Sequence, residues 1–237
     1  MRTITITIIF SCLLAMSTLA KEAQKLTLQE KIDAKKKANA KNLPPAKKKA
    51  FAEFSRAIKE LKATGIEERA LAQGMPVPNF NIAGKPFSYY YKKSPVILKF
   101  YRGHWCPTCM TELQEYQALQ KTIKDKGAQF IALVPDLKRY INRTKKRFNF
   151  TFPIYRDEDN QIAKKFGLAF TLDKKVIEFY RDFKISLPES HGNNKQEIPM
   201  PGTYVINRQG LIVFAYFNAD PAKRADPQTV LKALKQQ

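Results

Sequence analysis

A mixed central β-sheet flanked by helices, an α/β sandwich behind a helical N-terminal extension, is the architecture that this sequence predicts. Three observations predict it. From residue 95 onward, apolar runs bounded by turn residues alternate with segments of helical spacing, the grammar of strands joined by crossover helices. A terminal hairpin follows in "TYVINRQGLIVFAYF", with Thr203–Ile206 and Leu211–Phe217 around an Asn-Arg-Gln-Gly turn. Ahead of residue 74 the chain is rich in lysine and alanine and carries helical rather than strand patterning.

Taken in order, residues 1–20 have the anatomy of a secretory signal peptide. Arg2 gives a positive start, Ile4 to Leu19 is almost uncharged, and Thr18-Leu19-Ala20 places small residues before Lys21. An uncleaved anchor helix is the alternative, because the apolar run approaches the ~20 residues that span a bilayer. Residues 21–73 form the lysine-rich extension. Phe51, Phe54, Ile58 and Leu61 recur at amphipathic helical spacing, and Thr64-Gly65 closes that helix. Residues 74–237 make up the main domain. "MPVPNFNIAGKPFSYYY" suits short extended pieces turning at Gly84.

A buried strand is expected over Pro95–Tyr101, then a helix through Leu113, Tyr116, Leu119 and Ile123 that Lys126-Gly127 stops. Phe130–Val134 is a second strand, followed by a basic helix to Phe148. Phe152–Tyr155 is a third strand, and Glu158–Phe166 a helix closed by Gly167. Residues 168–198 look less regular, like an insertion with loop punctuation at Leu187-Pro188 and Gly192-Asn193-Asn194. Asp226-Pro227 opens the last helix as a capping aspartate with proline at the first helical position.

Among 237 residues, 44% are hydrophobic and 11% aromatic, which excludes wholesale disorder. The formal charge of +21 fits nucleic acid, an anionic surface or an acidic partner. The charge is spread along the chain, and no nucleic-acid-binding motif matches, so no nucleic-acid partner is expected. A basic surface-binding protein that only retains the fold is the non-enzymatic alternative.

Of three cysteines, Cys12 falls in the leader, which leaves Cys106 and Cys109 in a mature, exported, periplasmic or secreted chain. Export implies an oxidising compartment. A bond across three residues closes almost no loop, so it contributes little as a structural staple. Zinc fails on ligand count, since His104 and His191 are the only further nitrogen candidates. Cys106 falls at a strand-to-helix junction, where free amides and the helix dipole stabilise an anion. Pro107 suits the first helical turn, where a missing N–H costs nothing. Cys109 follows one turn later, so the two sulfurs can cycle between dithiol and disulfide without a cofactor.

"FYRGHWCPTCMTEL" and "MPGTYVINRQGLIVFAY" together resemble the thioredoxin superfamily, in its alkyl hydroperoxide reductase/thiol-specific antioxidant branch, the peroxiredoxin-like redoxins. The resemblance runs from about Leu43 to the C-terminus and takes in "ATGIEERAL" and "NADPAKRADP". It implies a thioredoxin-like fold in which Pro201, in the cis form after Met200, faces the cysteine pair. It implies a thiol-dependent enzyme recycled by a thioredoxin-type reductant, acting on hydroperoxides or on protein disulfides. In the exchanger pattern Cys106 is the exposed nucleophile, Cys109 resolves, and Trp105 and Pro201 belong to the equipment. In the peroxidase pattern Cys109 is peroxidatic and Glu112 the acidic residue after it, with Cys106 where a hydroxyl residue normally stands. Arg102 and Arg181 are the candidate activating arginines, Arg102 the better placed, and His104 could tune the thiol.

Overall fold

The computed structural model describes residues 26–235, so the leader reading and Cys12 lie outside the described residues. Five strands form the main sheet in the order β5-β4-β3-β8-β9. They are β3 (Val96–Phe100), β4 (Gln129–Val134), β5 (Ile154–Arg156), β8 (Gly202–Ile206) and β9 (Ile212–Phe217). β3, β4 and β5 run parallel, whereas β8 and β9 are antiparallel, which makes the sheet mixed as expected.

β3 is buried along its whole length because both of its faces are covered. Val96, Leu98 and Phe100 enter one core, with Ile131, Phe166 and Tyr204. Ile97 and Tyr101 enter the other, with Tyr116, Phe130 and Val205. The two-residue strand period places Lys99 on this second face, 1% exposed. A lysine at the centre of such a strand demands an anion, and the helix above supplies one.

That helix is α4 (Pro107–Ala118), which begins at Cys106 and continues after Leu119 as α5 (Gln120–Asp125). Gly127, at φ +67°, ends the pair where the sequence places the stop. α6 (Lys138–Phe148) connects β4 to β5. The segment after β5 is a 3-10 turn, Glu158–Asn160, and a short α7 (Gln161–Lys165) rather than one helix. Asp159 and Asn160 both take left-handed backbone there, which breaks the helix that periodicity alone suggests. α10 (Pro227–Ala233) starts as expected, the Asp226 carboxylate accepting from the Gln228 amide.

Two regions are more ordered than their sequence suggests. Ser88–Tyr91 is a helical turn, α3, after the small hairpin of β1 (Asn81–Ile82) and β2 (Lys85–Pro86). Three successive tyrosines read as strand by propensity, but packing of Tyr90 and Tyr91 on Phe87 overrides it. Residues 168–198 hold β6 (Ala169–Thr171), α8 (Lys174–Asp182), α9 (Leu187–His191) and β7 (Glu197–Pro199). β6 and β7 pair antiparallel as a separate ribbon, so this insertion is a built subunit of the fold and not irregular loop.

The extension is docked. α1 (Leu28–Lys41) carries a Thr27–Glu30 capping box and buries Leu28 and Ile32. Lys31 pairs with Glu115 at 2.8 Å and Lys35 donates to Thr111 at 3.1 Å, so α1 lies along α4. α2 (Pro45–Ala63) packs instead on α8, with Phe54 stacked on Phe179 at 4.5 Å and Phe51 edge-on at 5.1 Å. Both helices of the extension therefore border the segment that holds the cysteines.

Candidate active site

Cys106 and Cys109 are joined as a disulfide at the start of α4, with Cα atoms 5.3 Å apart. Cys106 is the helix N-cap, and its sulfur accepts the amide N–H of Cys109 at 3.3 Å. Sulfur thus takes the place of the oxygen that usually caps a helix. Both cysteines are 0% exposed. The exposed nucleophile of the exchanger pattern is therefore not what this chain presents. Trp105, half-buried, packs on Tyr180 from α8 at 5.0 Å and against the cluster that α2 and α8 share, while Cys106 itself is buried in the core beneath the sheet's second face. Gly103 fits beneath that indole, since a Cβ there would run into the Trp105 Nε1.

A guanidinium stands at each sulfur. Arg102, 9% exposed, donates through Nη2 to Cys106 Sγ at 3.4 Å and through Nη1 to the Tyr180 hydroxyl at 2.9 Å. It also lies 5.3 Å from the centre of the Trp105 ring. Arg224, 5% exposed, donates through Nη2 to Cys109 Sγ at 3.5 Å. Its Nε is 2.7 Å from Glu112 Oε2, a charge-assisted contact that fixes the direction of the fork. The other Glu112 oxygen faces Lys99 Nζ at 2.8 Å and accepts from the Thr203 hydroxyl at 3.4 Å. Lys99 in turn donates to Thr203 Oγ1 at 3.0 Å.

Burial pulls Lys99 down to about 8, although Glu112 opposes the shift. Burial also lowers Arg224 from its ordinary value, again against Glu112. The carboxylate therefore supports the charge of both buried cations, of which Arg224 reaches Cys109. The extension braces this arrangement from outside. Gln29 of α1 accepts from the Arg224 backbone amide at 3.3 Å and donates to the Ala222 carbonyl at 3.2 Å.

The remaining expectations divide. Pro107 occupies the first helical position, as its missing N–H allows. Arg181 is exposed on α8, and the residue of that helix which reaches the site is its neighbour Tyr180. His104 turns from the sulfurs: its ring stacks on Tyr140 at 4.2 Å and its Nδ1 lies 3.1 Å from Asp136. Pro201 lines a cleft that also contains Arg102. The Met200–Pro201 bond is trans, since no described peptide bond is cis. Trans is the ordinary X–Pro form, and it carries β7 directly into β8. The Met200 amide bonds to the Leu168 carbonyl at 2.8 Å, and Gly202 already pairs with Phe100.

Sequence reasoning missed Arg224, Lys99, Thr203 and Tyr180. Lys99 had a signal, since one charge inside an otherwise apolar strand needs a buried partner. Glu112 shares the inner stripe of α4 with Cys109, Leu113 and Tyr116, which names that partner. Arg224 sits in a loop between the last strand and the last helix, where no periodicity marks it.

The AhpC/TSA family model matches residues 73–215. The chain belongs to the AhpC/TSA family. It is a thiol oxidoreductase of thioredoxin-like fold, in which Cys106 and Cys109 are joined as a disulfide. Curated relatives include the thiol-disulfide oxidoreductase ResA of Bacillus thuringiensis subsp. konkukian, 30% identical over 128 residues. That match covers 47% of this chain and 71% of the relative. ResA of Geobacillus thermodenitrificans is 28% identical over 118 residues, covering 46% and 67% respectively. Among solved structures, peroxidoxin BcpB from Mycobacterium tuberculosis superposes with a TM-score of 0.53 at 19% identity. It covers 70% of this chain and 97% of its own. Reduced Prx3 from Vibrio vulnificus gives 0.55 at 18% identity, covering 70% and 99%. These two likenesses show the fold. Among the described residues, no helix is long and apolar enough to cross a membrane.

Proposed function

We propose that this oxidoreductase reduces hydroperoxides outside the cytoplasm, with Cys109 as the attacking sulfur and Cys106 as the resolving one. The observation that carries the reading is the Arg224 guanidinium, held by Glu112 and aimed at Cys109 Sγ from 3.5 Å. A fixed guanidinium holds negative charge on the sulfur and offers a donor to the oxygens of a bound peroxide.

In the reaction, the Cys109 thiolate attacks the terminal oxygen of ROOH. The O–O bond breaks, ROH leaves with a proton, and Cys109 becomes a sulfenic acid. Cys106 then attacks the Cys109 sulfur, the S–O bond breaks, water departs, and the disulfide forms. The two thiols supply both electrons, so no cofactor enters. A thioredoxin-type dithiol protein restores the pair by exchange and is itself oxidised. Arg102 on Cys106 holds the resolving sulfur as thiolate, and the Cys109 amide assists it. Export rests on the leader-like residues 1–20.

Thiol-disulfide exchange is the second reading. It is favoured by the ResA relatives and by the position of Cys106 at the helix start, which suits a nucleophile. The test compares the reduced protein on hydrogen peroxide and on insulin disulfides, each with a thioredoxin-type donor. Turnover of peroxide with negligible insulin reduction supports the peroxidase. The opposite pattern overturns it in favour of exchange.

A further inference from the structure

α6 presents charge of a single sign to solvent. Six of its 11 residues are lysine or arginine and none is acidic. Lys138, Arg139, Arg143, Lys146 and Arg147 are exposed, and the three arginines follow one another at four-residue intervals along one line of the helix. Other long helices carry acids among their lysines, as α2 does at Glu53 and Glu60 and α8 at Glu178 and Asp182. Among the described residues, none of the α6 cations is in an ion pair. The acid that borders them, Glu189, already accepts from the Tyr140 hydroxyl at 2.6 Å.

This arrangement works against the helix that carries it. Like charges four residues apart repel. Lys138 and Arg139 oppose the helix dipole at its positive end, and no side chain caps that end. A segment that breaks local rules is expected where the surface has a use. Its place points to the use. Tyr140 joins the basic face to the cysteine loop: Arg139 and Arg143 stand 4.9 Å and 5.7 Å from the centre of its ring, and His104 stacks on the same ring at 4.2 Å. The His104 amide donates to Asp136 at 2.7 Å, which pins this loop beside the start of α6. Both sulfurs are covered, so a reductant has to stay on the surface until the loop over them parts. A charged face beside that loop speeds encounter with a partner of opposite charge and orients it.

We propose that the basic face of α6 docks an acidic surface of the dithiol protein that reduces the Cys106–Cys109 disulfide. The assignment rests on the reductive half of the cycle given above and not on which sulfur meets peroxide. A thiolate of the partner attacks one sulfur of the pair, the S–S bond breaks, and a mixed disulfide forms. The partner's second thiol then attacks its own sulfur in that bond and releases the pair. The partner leaves as a disulfide, and its two electrons and two protons remain on Cys106 and Cys109. An anionic lipid surface would match the charge, but α6 turns its apolar side, with Ile141 and Phe148, into the core and has no anchor to insert.

The experiment uses the full oxidised protein without peroxide. Three peptide dithiols share the sequence Cys-Gly-Pro-Cys and differ in their flanks, which are glutamates, serines or lysines, and dithiothreitol is the uncharged reference. Trp105, the single tryptophan, packs on the cluster that holds both cysteines and reports reduction by its fluorescence. Two variants change the net charge equally. Arg139→Glu/Arg143→Glu/Arg147→Glu alters α6, and Lys85→Glu/Lys92→Glu/Lys93→Glu alters exposed positions on the other side of the sheet. The native protein is expected to be reduced at least ~10-fold faster by the glutamate peptide than by the serine one, and slowest by the lysine one. Raising the ionic strength from ~0.01 M to ~1 M, which shortens the Debye length from ~30 Å to ~3 Å, is expected to erase that order. The α6 variant is expected to invert it with a native dithiothreitol rate, and the variant on the other side to keep it. Arg139→Gln/Arg143→Gln/Arg147→Gln is expected to abolish the preference without inverting it. Equal rates for the three peptides on the native protein would overturn the proposal. An equal loss of preference in both glutamate variants would also overturn it, assigning the effect to the net charge of +21 and not to α6. Binding to phosphatidylglycerol vesicles that the α6 variant abolishes, with the peptide order unchanged, would overturn it in favour of a membrane surface. No step of the assay consumes peroxide, so its outcome is independent of the peroxidase test above.

Discussion

Replacing Glu112 with glutamine removes one negative charge and almost no volume from a place with no access to water. In the native protein this carboxylate is 0% exposed and contacts Lys99 at 2.8 Å and Arg224 at 2.7 Å. The variant leaves two buried cations facing an amide. Breaking a buried ion pair by removing one partner costs about 3–5 kcal/mol, because the remaining charge is left uncompensated. For a domain of this size that corresponds to a fall in Tm of roughly 6–20 °C.

The pH dependence identifies the cause. Lys99 titrates at about 8 in the folded protein, below its ordinary 10.5, because burial outweighs the attraction of Glu112. Without Glu112 it drops further. The deficit of the variant is therefore largest where Lys99 is charged in both proteins. It shrinks as pH rises to about 8, where the native protein loses the Lys99 proton as well. The assay is thermal denaturation of the oxidised protein by circular dichroism from pH 6 to 9, for Glu112→Gln and for Lys99→Met/Glu112→Gln. The double variant is expected to recover at least half of the loss. A loss below about 1 kcal/mol with no change across this range would refute the reasoning, since the triad would then act like surface ion pairs.

Three further outcomes follow from the same geometry. Arg224→Lys keeps a charge but loses the fork that spans Glu112 and Cys109, so peroxide reactivity should fall about 100-fold. Retention of at least a third of the native rate in stopped-flow oxidation would count against the role given to Arg224. Gly167 sits at φ +69°, and a Cβ there would strike the Arg69 carbonyl. Gly167→Ala should cost about 1–3 kcal/mol in urea denaturation, and an unchanged midpoint would show that the loop moves freely. Asp157 accepts amide bonds from Ile162 and Ala163, yet burial raises it to about 6. Its folded value lies above its unfolded one, so its contribution to stability falls as pH rises from 3.8 to about 6. Carboxyl NMR should place its titration near the upper figure and not the lower.

Much of the fold was legible because its determinants are local. The apolar runs at Val96–Phe100 and Gln129–Val134, the Gly127 stop and the Asp226-Pro227 start each carry their own signal. The places that misled are set by tertiary contact. The aromatic zipper between Phe54 and Phe179 orders the insertion, and the Tyr90 and Tyr91 packing on Phe87 makes a helical turn of a strand-like tripeptide. Within the site, Cys106, Cys109, Glu112 and Arg102 were found because they share one strand-loop-helix segment. Arg224 is 112 positions from its Glu112 partner, and only the closed fold brings them together. The burial of Cys106 was equally hidden, because a strand-to-helix junction reads as exposed in isolation while the closed fold places this one in the core.

The order of attack is the central claim, and the sulfurs can be separated chemically. Reduced native protein, Cys106→Ser and Cys109→Ser would each be mixed with a hydroperoxide in a stopped-flow instrument, with Trp105 fluorescence as the signal. The account predicts fast oxidation that survives in Cys106→Ser, stopping there at the sulfenic acid, and that is lost in Cys109→Ser. Fast oxidation retained in Cys109→Ser and lost in Cys106→Ser would contradict it and make the helix-capping sulfur the nucleophile.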